Sequence, residues 1–133
     1  MNKDGFTLVE LLATIVIIGL LAGLTTISYT ALIKQSVDKS YENYENTMHA
    51  EAISKLTMHP DDVIFHGGVA TLSLADLEID PFNNPDNPGD KCLNSYVEVT
   101  KSRVGNVLSM HYKVCLICPS YNSDGNNCRE YEN

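Results

Sequence analysis

The sequence predicts an α+β chain in which one long N-terminal helix packs on a small antiparallel β-sheet. Three observations carry that prediction. Residues 11–33 contain no charged side chain, residues 37–56 repeat apolar positions at three- and four-residue steps, and residues 95–117 alternate on either side of a turn. The first two have the period of a helix and the third that of a strand pair.

The helix begins after a short polar leader that ends in Gly5. Phe6 opens an apolar run with one carboxylate, Glu10, near its start. Thr14 is the single polar interruption before Thr25, Thr26, Ser28 and Thr30. As helix, the 23 residues from Leu11 to Ile33 extend about 35 Å, enough to cross a hydrocarbon core of about 30 Å. A charge set against such a segment is costly and is by default functional. A secretory signal would have a shorter apolar core followed by a small-residue cleavage site. Here the run is longer and continues as patterned helix, so an anchor is expected. Gly19 and Gly23 form a GxxxG step, which lets crowded helices approach closely.

Gly5-Phe6-Thr7-Leu8-Val9-Glu10 followed by an apolar helix resembles the class III leader of type IV prepilins and type II secretion pseudopilins. The resemblance covers about the first 30 residues; beyond residue 35 it is architectural. It implies that a membrane-embedded prepilin peptidase cleaves between Gly5 and Phe6 and methylates the new amine of Phe6. Glu10 falls where the family keeps its glutamate. The resemblance also implies a single-pass precursor with residues 1–5 in the cytoplasm and the C-terminal domain outside, then an extracellular or periplasmic filament. Its partners would be other copies or related pilins, the peptidase and a membrane assembly platform. The family also includes secretion and competence pseudopilins. Many members carry a proline where this chain has Ile27, so helix softening would fall to the glycines and the threonine–serine cluster.

Physics supplies a role for Glu10. In the precursor it lies one turn into the helix, close to headgroups that keep it solvated. Buried in a filament without a partner, an acidic residue would oppose assembly by about 2.5–3.5 kcal/mol on insertion scales. The amine created at Phe6, in the same chain or a neighbour, would answer it and fix the stagger between helices. Glu10 is therefore expected to be an assembly residue.

Beyond the apolar run, Val37, Tyr41, Tyr44, Met48, Ala52 and Leu56, with Ile53 beside them, form one face of an amphipathic helix. His59-Pro60 should end it, since the residue before proline is pushed out of the α region. The predicted organisation is a leader over 1–5, a helix over 6–57 (apolar over 6–33, amphipathic over 34–57), and a disulfide-bearing β domain over 58–133. This is a pilin-like architecture.

In the C-terminal domain, 62–66 reads as a short strand, Gly67-Gly68 as a turn and 69–72 as a second strand. Ser73 and Asp76 have capping-box spacing, placing Leu74 and Leu77 on a helical turn. Residues 80–90, with three prolines and a glycine, read as loop. A hairpin follows, its turn within 102–106. Leu108, Met110, Tyr112, Val114 and Leu116 share the face expected to lie on the helix.

Cys92, Cys115, Cys118 and Cys128 all fall in this small domain, and an even count in an exported domain implies disulfides. A turn centred on Val104 would set Cys92 opposite Leu116, beside Cys115. The expected pairs are then Cys92–Cys115 and Cys118–Cys128. In the family a disulfide commonly pins the C-terminal loop, usually as a single pair. Two rival readings concern Cys115-x-x-Cys118. A redox motif needs a helix N-terminus, whereas this one ends a β-patterned run. Structural zinc favours CxxC knuckles, of which there is one. A membrane-tethered metal or redox module is thus the alternative of another class.

Other chemistry is sparse. His49, His59, His66 and His111 are scattered without metal-ligand spacing. Asp80, Asp86 and Asp90 make an oxygen-rich loop, and some pseudopilins bind calcium in a comparable loop. The spacing does not fit an EF-hand, and turn chemistry explains these residues without a cofactor. No nucleophile–base pair or phosphate-binding glycine loop points to an enzyme. With Lys3, Asp4 and Glu10 set aside, 8 basic residues face 15 acidic ones, a net of −7. Such a surface repels nucleic-acid backbones, so no nucleic-acid partner is expected.

Overall fold

The computed structural model describes residues 6–128, apart from the side chains of 24–28 and 126. It is an α+β arrangement in two compact units, residues 1–36 and 37–133. Helix α1 (Leu8–Met58) runs through both. Gly5, the leader side of the expected cleavage site, lies outside the described residues, as do the side chains of Thr25, Thr26, Ile27 and Ser28.

Thr7 starts α1. Its carbonyl accepts the N–H groups of Glu10 and Leu11, at 3.0 and 3.1 Å, and its hydroxyl accepts Glu10 N–H at 3.4 Å. At the other end His59 takes φ −132° and ψ 59°, outside the α region, as the following proline requires. The chain then makes a 3₁₀ turn over Pro60–Asp62 rather than entering the strand expected at 62–66. Proline suits the first position of such a turn, and Asp62 N–H closes it on His59 O at 3.2 Å. Only His66 shows β-pairing there, as an isolated bridge to Val69 across Gly67-Gly68. Both glycines have positive φ, 61° and 86°, as a tight two-residue hairpin loop demands.

The main sheet is antiparallel with the order β1 (Val69–Ser73), β4 (Tyr96–Val104), β5 (Val107–Cys115). Two small ribbons flank it: β2 (Phe82–Asn83) with β3 (Lys91–Cys92), and β6 (Ile117–Cys118) with β7 (Tyr121–Asn122). The edge strand β1 is closed at both ends. Val69 exchanges hydrogen bonds with His66, while Ser73 N–H donates to Asp76 and Ser73 O accepts Leu77 N–H. This blunts an edge that would otherwise invite pairing. Ser73 and Asp76 form the anticipated capping box, Ser73 Oγ accepting Asp76 N–H at 3.2 Å and Asp76 Oδ2 accepting Ser73 N–H at 2.8 Å.

Within residues 37–133 the core forms where α1 lies on the sheet. Tyr41, Met48 and Ala52 are buried against Ala70, Leu72, Val97, Val99 and Leu116, with Val37, Tyr44 and Leu56 at its margin. Met110, Tyr112 and Val114 join from β5 as half-buried side chains. Leu108, anticipated on the same face, is exposed near the hairpin tip. Ile53 is also exposed, one residue round the helix from Ala52 and off the buried stripe.

Candidate functional site

The N-terminal segment presents an apolar surface. Phe6 is 70 % exposed, and Leu8, Val9, Leu11 and Leu12 continue a bare apolar face. Glu10 sits in the first turn of α1 and is exposed. An acidic side chain there favours the helix macrodipole. Thr7 and Glu10 have the spacing of a capping box, a T-x-x-E signal in the sequence that places the cap as well as the charge. Methyl groups built on Gly19 and Gly23 meet nothing within 4 Å. The notch they make is therefore not filled from within the described residues. Among those residues no helix is long and apolar enough to cross a membrane; side chains 24–28, inside the stretch expected to span, are not among them.

A second set of side chains ties α1 to two loops, and local sequence patterns give no sign of it. Tyr41 Oη lies 2.8 Å from Asn84 Oδ1 and 2.9 Å from Asp86 Oδ2. Ser120 Oγ donates to the same Asp86 oxygen at 2.8 Å. The Tyr41 ring stacks on Tyr121, whose hydroxyl donates to Glu45 Oε1 at 2.7 Å. Tyr44 stacks on Phe82 at 4.2 Å. Burial raises the Tyr41 hydroxyl pKa above its usual value. Burial, then the Glu45 hydrogen bond, pushes Tyr121 up to about 12.

Within the loop singled out for calcium, Asp86 is therefore engaged with Tyr41 and Ser120, and Asp90 Oδ2 accepts a hydrogen bond from Asn87 at 2.9 Å. Among the described residues no group of three or more His, Cys, Asp or Glu side chains could hold a metal ion.

The cysteines depart from the expected pairing. The bridges are Cys92–Cys118 and Cys115–Cys128, not Cys92–Cys115 and Cys118–Cys128. The reason lies in the hairpin turn. Gly105, at φ 62°, takes the first corner and Val104 pairs with Val107, so Cys115 faces Tyr96 rather than residues near Cys92. Cys92 does not extend β4 at all. It pairs with Phe82 in the β2–β3 ribbon, and the chain turns at Leu93-Asn94 before β4 begins. Strand β3 then contacts β6, which delivers Cys118. Cys115 joins a separate buried cluster with Tyr96 and Cys128. Ser95 Oγ accepts Ile117 N–H at 2.9 Å and Ser123 Oγ accepts Leu116 N–H at 3.0 Å, holding the segment between the bridges.

The two cysteines of Cys115-x-x-Cys118 belong to different bridges, so they do not form one redox couple, and no described cysteine is free. Beside them Lys113 and Asp124 pair at 2.9 Å. This hydrogen bond raises the lysine pKa and lowers that of the aspartate.

No curated protein and no solved structure is significantly similar to the chain. Residues 1–26 match the model of the prokaryotic N-terminal methylation motif, and that motif points to a structural, pilin-type protein. The matched range includes Gly5, Phe6, Glu10, Gly19 and Gly23. The chain thus carries the class III leader of type IV pilins and pseudopilins, the mark of a pilin-like or pseudopilin precursor.

Proposed function

We propose that this protein is the structural subunit of a type IV pilus-like filament. It is anchored by its apolar helix as a precursor, cleaved by prepilin peptidase after Gly5, methylated on Phe6 and assembled through residues 6–33. The observation that carries this reading is the methylation motif over residues 1–26, running directly into a helix whose apolar side chains are exposed. A contiguous bare apolar surface needs lipid or neighbouring helices to cover it, and a filament core supplies the second after the first is left. Glu10 meets a Phe6 amine there, and Gly19 and Gly23 admit a close neighbour. The bridges support an exported domain, because disulfides persist in oxidising compartments. An acidic, doubly bridged exterior favours a pilus over a secretion or competence pseudopilus.

The test is made in cells that carry the peptidase and assembly machinery. Gly5→Val should leave the chain unprocessed in the membrane. Glu10→Ala should be processed normally yet be absent from sheared filaments. Processing in a strain lacking the peptidase, or normal incorporation of Glu10→Ala, overturns the proposal.

A further inference from the structure

Charge in the C-terminal unit is segregated along the chain. From Leu56 to Asp90 there are seven carboxylates and no lysine or arginine. The β4–β5 hairpin carries Lys101, Arg103, His111 and Lys113 against a single acid, Glu98. Among the described residues the ion pairs join Lys55 to Asp62 and Glu78, and Lys113 to Asp124. Among the described residues, therefore, Lys101 and Arg103 have no carboxylate within 4.0 Å, and neither Asp61 nor Asp80 has a cation within that distance. Lys101 Nζ lies 3.6 Å above the Phe65 ring, and both cations are exposed. They flank an apolar tip in which Val104 is 75 %, Val107 69 % and Leu108 52 % exposed. The acidic segment presents its own bare aliphatic side chain, Ile64, at 70 %.

On the filament reading given above, we propose that the β4–β5 hairpin of one copy docks on the acidic 59–90 segment of the next. The basic rim of the tip, Lys101 and Arg103, meets carboxylates such as Asp61 and Asp80, and the apolar tip covers aliphatic surface. Charge complementarity selects a second copy as the occupant, because each copy carries both surfaces. It also selects the symmetry. A two-fold contact of hairpin on hairpin would set Lys101 and Arg103 against their own kind, which is repulsive. Hairpin on acidic segment joins different patches, and such heterologous contacts propagate into open filaments instead of closing.

The test uses the full chain in detergent micelles with a benzophenone amino acid in place of Val104. Photo-crosslinking followed by peptide mass spectrometry should find the tip joined to residues 59–90 of a second copy. Arg103→Glu should lower the yield on the order of tenfold, and so should Asp61→Lys with Asp80→Lys. Mixing the two variants should restore it, since a reversed tip then meets a reversed segment. Crosslinks elsewhere, a yield insensitive to charge reversal, or no rescue on mixing overturns the docking. So does capture of the tip by anionic lipid vesicles with no copy-to-copy crosslink. Glu10→Ala in cells reports separately on the filament reading. Filaments that depend on Glu10 but lack this crosslink reject the docking alone. Reciprocal rescue with a Glu10-independent chain leaves the contact standing and rejects the filament.

Discussion

Tyr41 of α1 and Tyr121 of β7 stack face to face, with ring centroids 4.1 Å apart and planes within 6° of parallel. Their hydroxyls lead to different acceptors, Tyr41 to Asn84 and Asp86, Tyr121 to Glu45. One contact thus fixes two loops to the helix. Tyr41→Phe keeps the ring and removes the hydroxyl from a buried polar cluster. It should cost about 1–2 kcal/mol, whereas Tyr41→Ala should cost about 3–5 kcal/mol. Urea unfolding of the full chain in micelles measures both, and an unchanged stability of Tyr41→Phe would show that the hydroxyl network adds nothing.

The raised Tyr121 pKa makes stability fall in alkaline solution. Between the ordinary tyrosine value of 10.0 and about 12 the folded chain still holds the phenolic proton while the unfolded chain has lost it. Folded-state stabilisation from this group is therefore complete below 10 and declines as pH rises through that window. Tyr121→Phe should reduce the decline, and tyrosinate absorbance should show one late-titrating group missing. A Tyr121→Phe chain with the same alkaline profile as the parent would exclude this linkage.

The bridges make a prediction of pairing and of magnitude. Digestion without reduction should yield one linked peptide containing Cys92 and Cys118, and another containing Cys115 and Cys128. Closing segments with sequence separations of 26 and 13 stabilises by about 3–4 kcal/mol each in the chain-entropy treatment. The paired replacement Cys92→Ser with Cys118→Ser should lose roughly that much. A linked peptide joining Cys92 to Cys115 would contradict the β4–β5 register.

Thr7 should set the first turn of α1. Thr7→Ala removes the hydroxyl that accepts Glu10 N–H and should cost about 1 kcal/mol locally, with Thr7→Ser keeping most of it. Amide exchange at residues 8–11 in micelles reads the fraying. Equal protection in Thr7→Ala and the parent would show that the cap is idle.

What was legible in the sequence follows range. The helix, its proline stop, the hairpin and the Ser73–Asp76 cap rest on local chemistry, and all appear. The buried stripe was legible at Tyr41, Met48 and Ala52 because three- and four-residue steps return to one face. Ile53 lies just off that face, and periodicity alone does not say how wide the sheet it meets is. Met48→Ala should therefore cost about 2–5 kcal/mol and Ile53→Ala under about 1 kcal/mol, as thermal melting would show. The bridges depart from the expected pairs through two facts that spacing does not show: Gly105 rather than Val104 turns the hairpin, and Cys92 pairs with Phe82 instead of extending β4. The contacts of Tyr41 with Asn84 and Ser120 span 43 and 79 residues, and no spacing rule reaches that far. At the N-terminal segment the methylation motif was legible because it is a short local pattern, and the T-x-x-E cap spacing of Thr7 and Glu10 lay within it.

The two bridges interlock along the chain, since Cys115 lies inside the Cys92–Cys118 loop and Cys128 outside it. A single backbone cut anywhere between residues 92 and 128 therefore leaves both fragments covalently joined. Side-by-side bridges would let one nick at residue 116 or 117 release everything after it. Crossing the two bonds turns what would be a severing event into a nick that leaves the chain in one covalent piece.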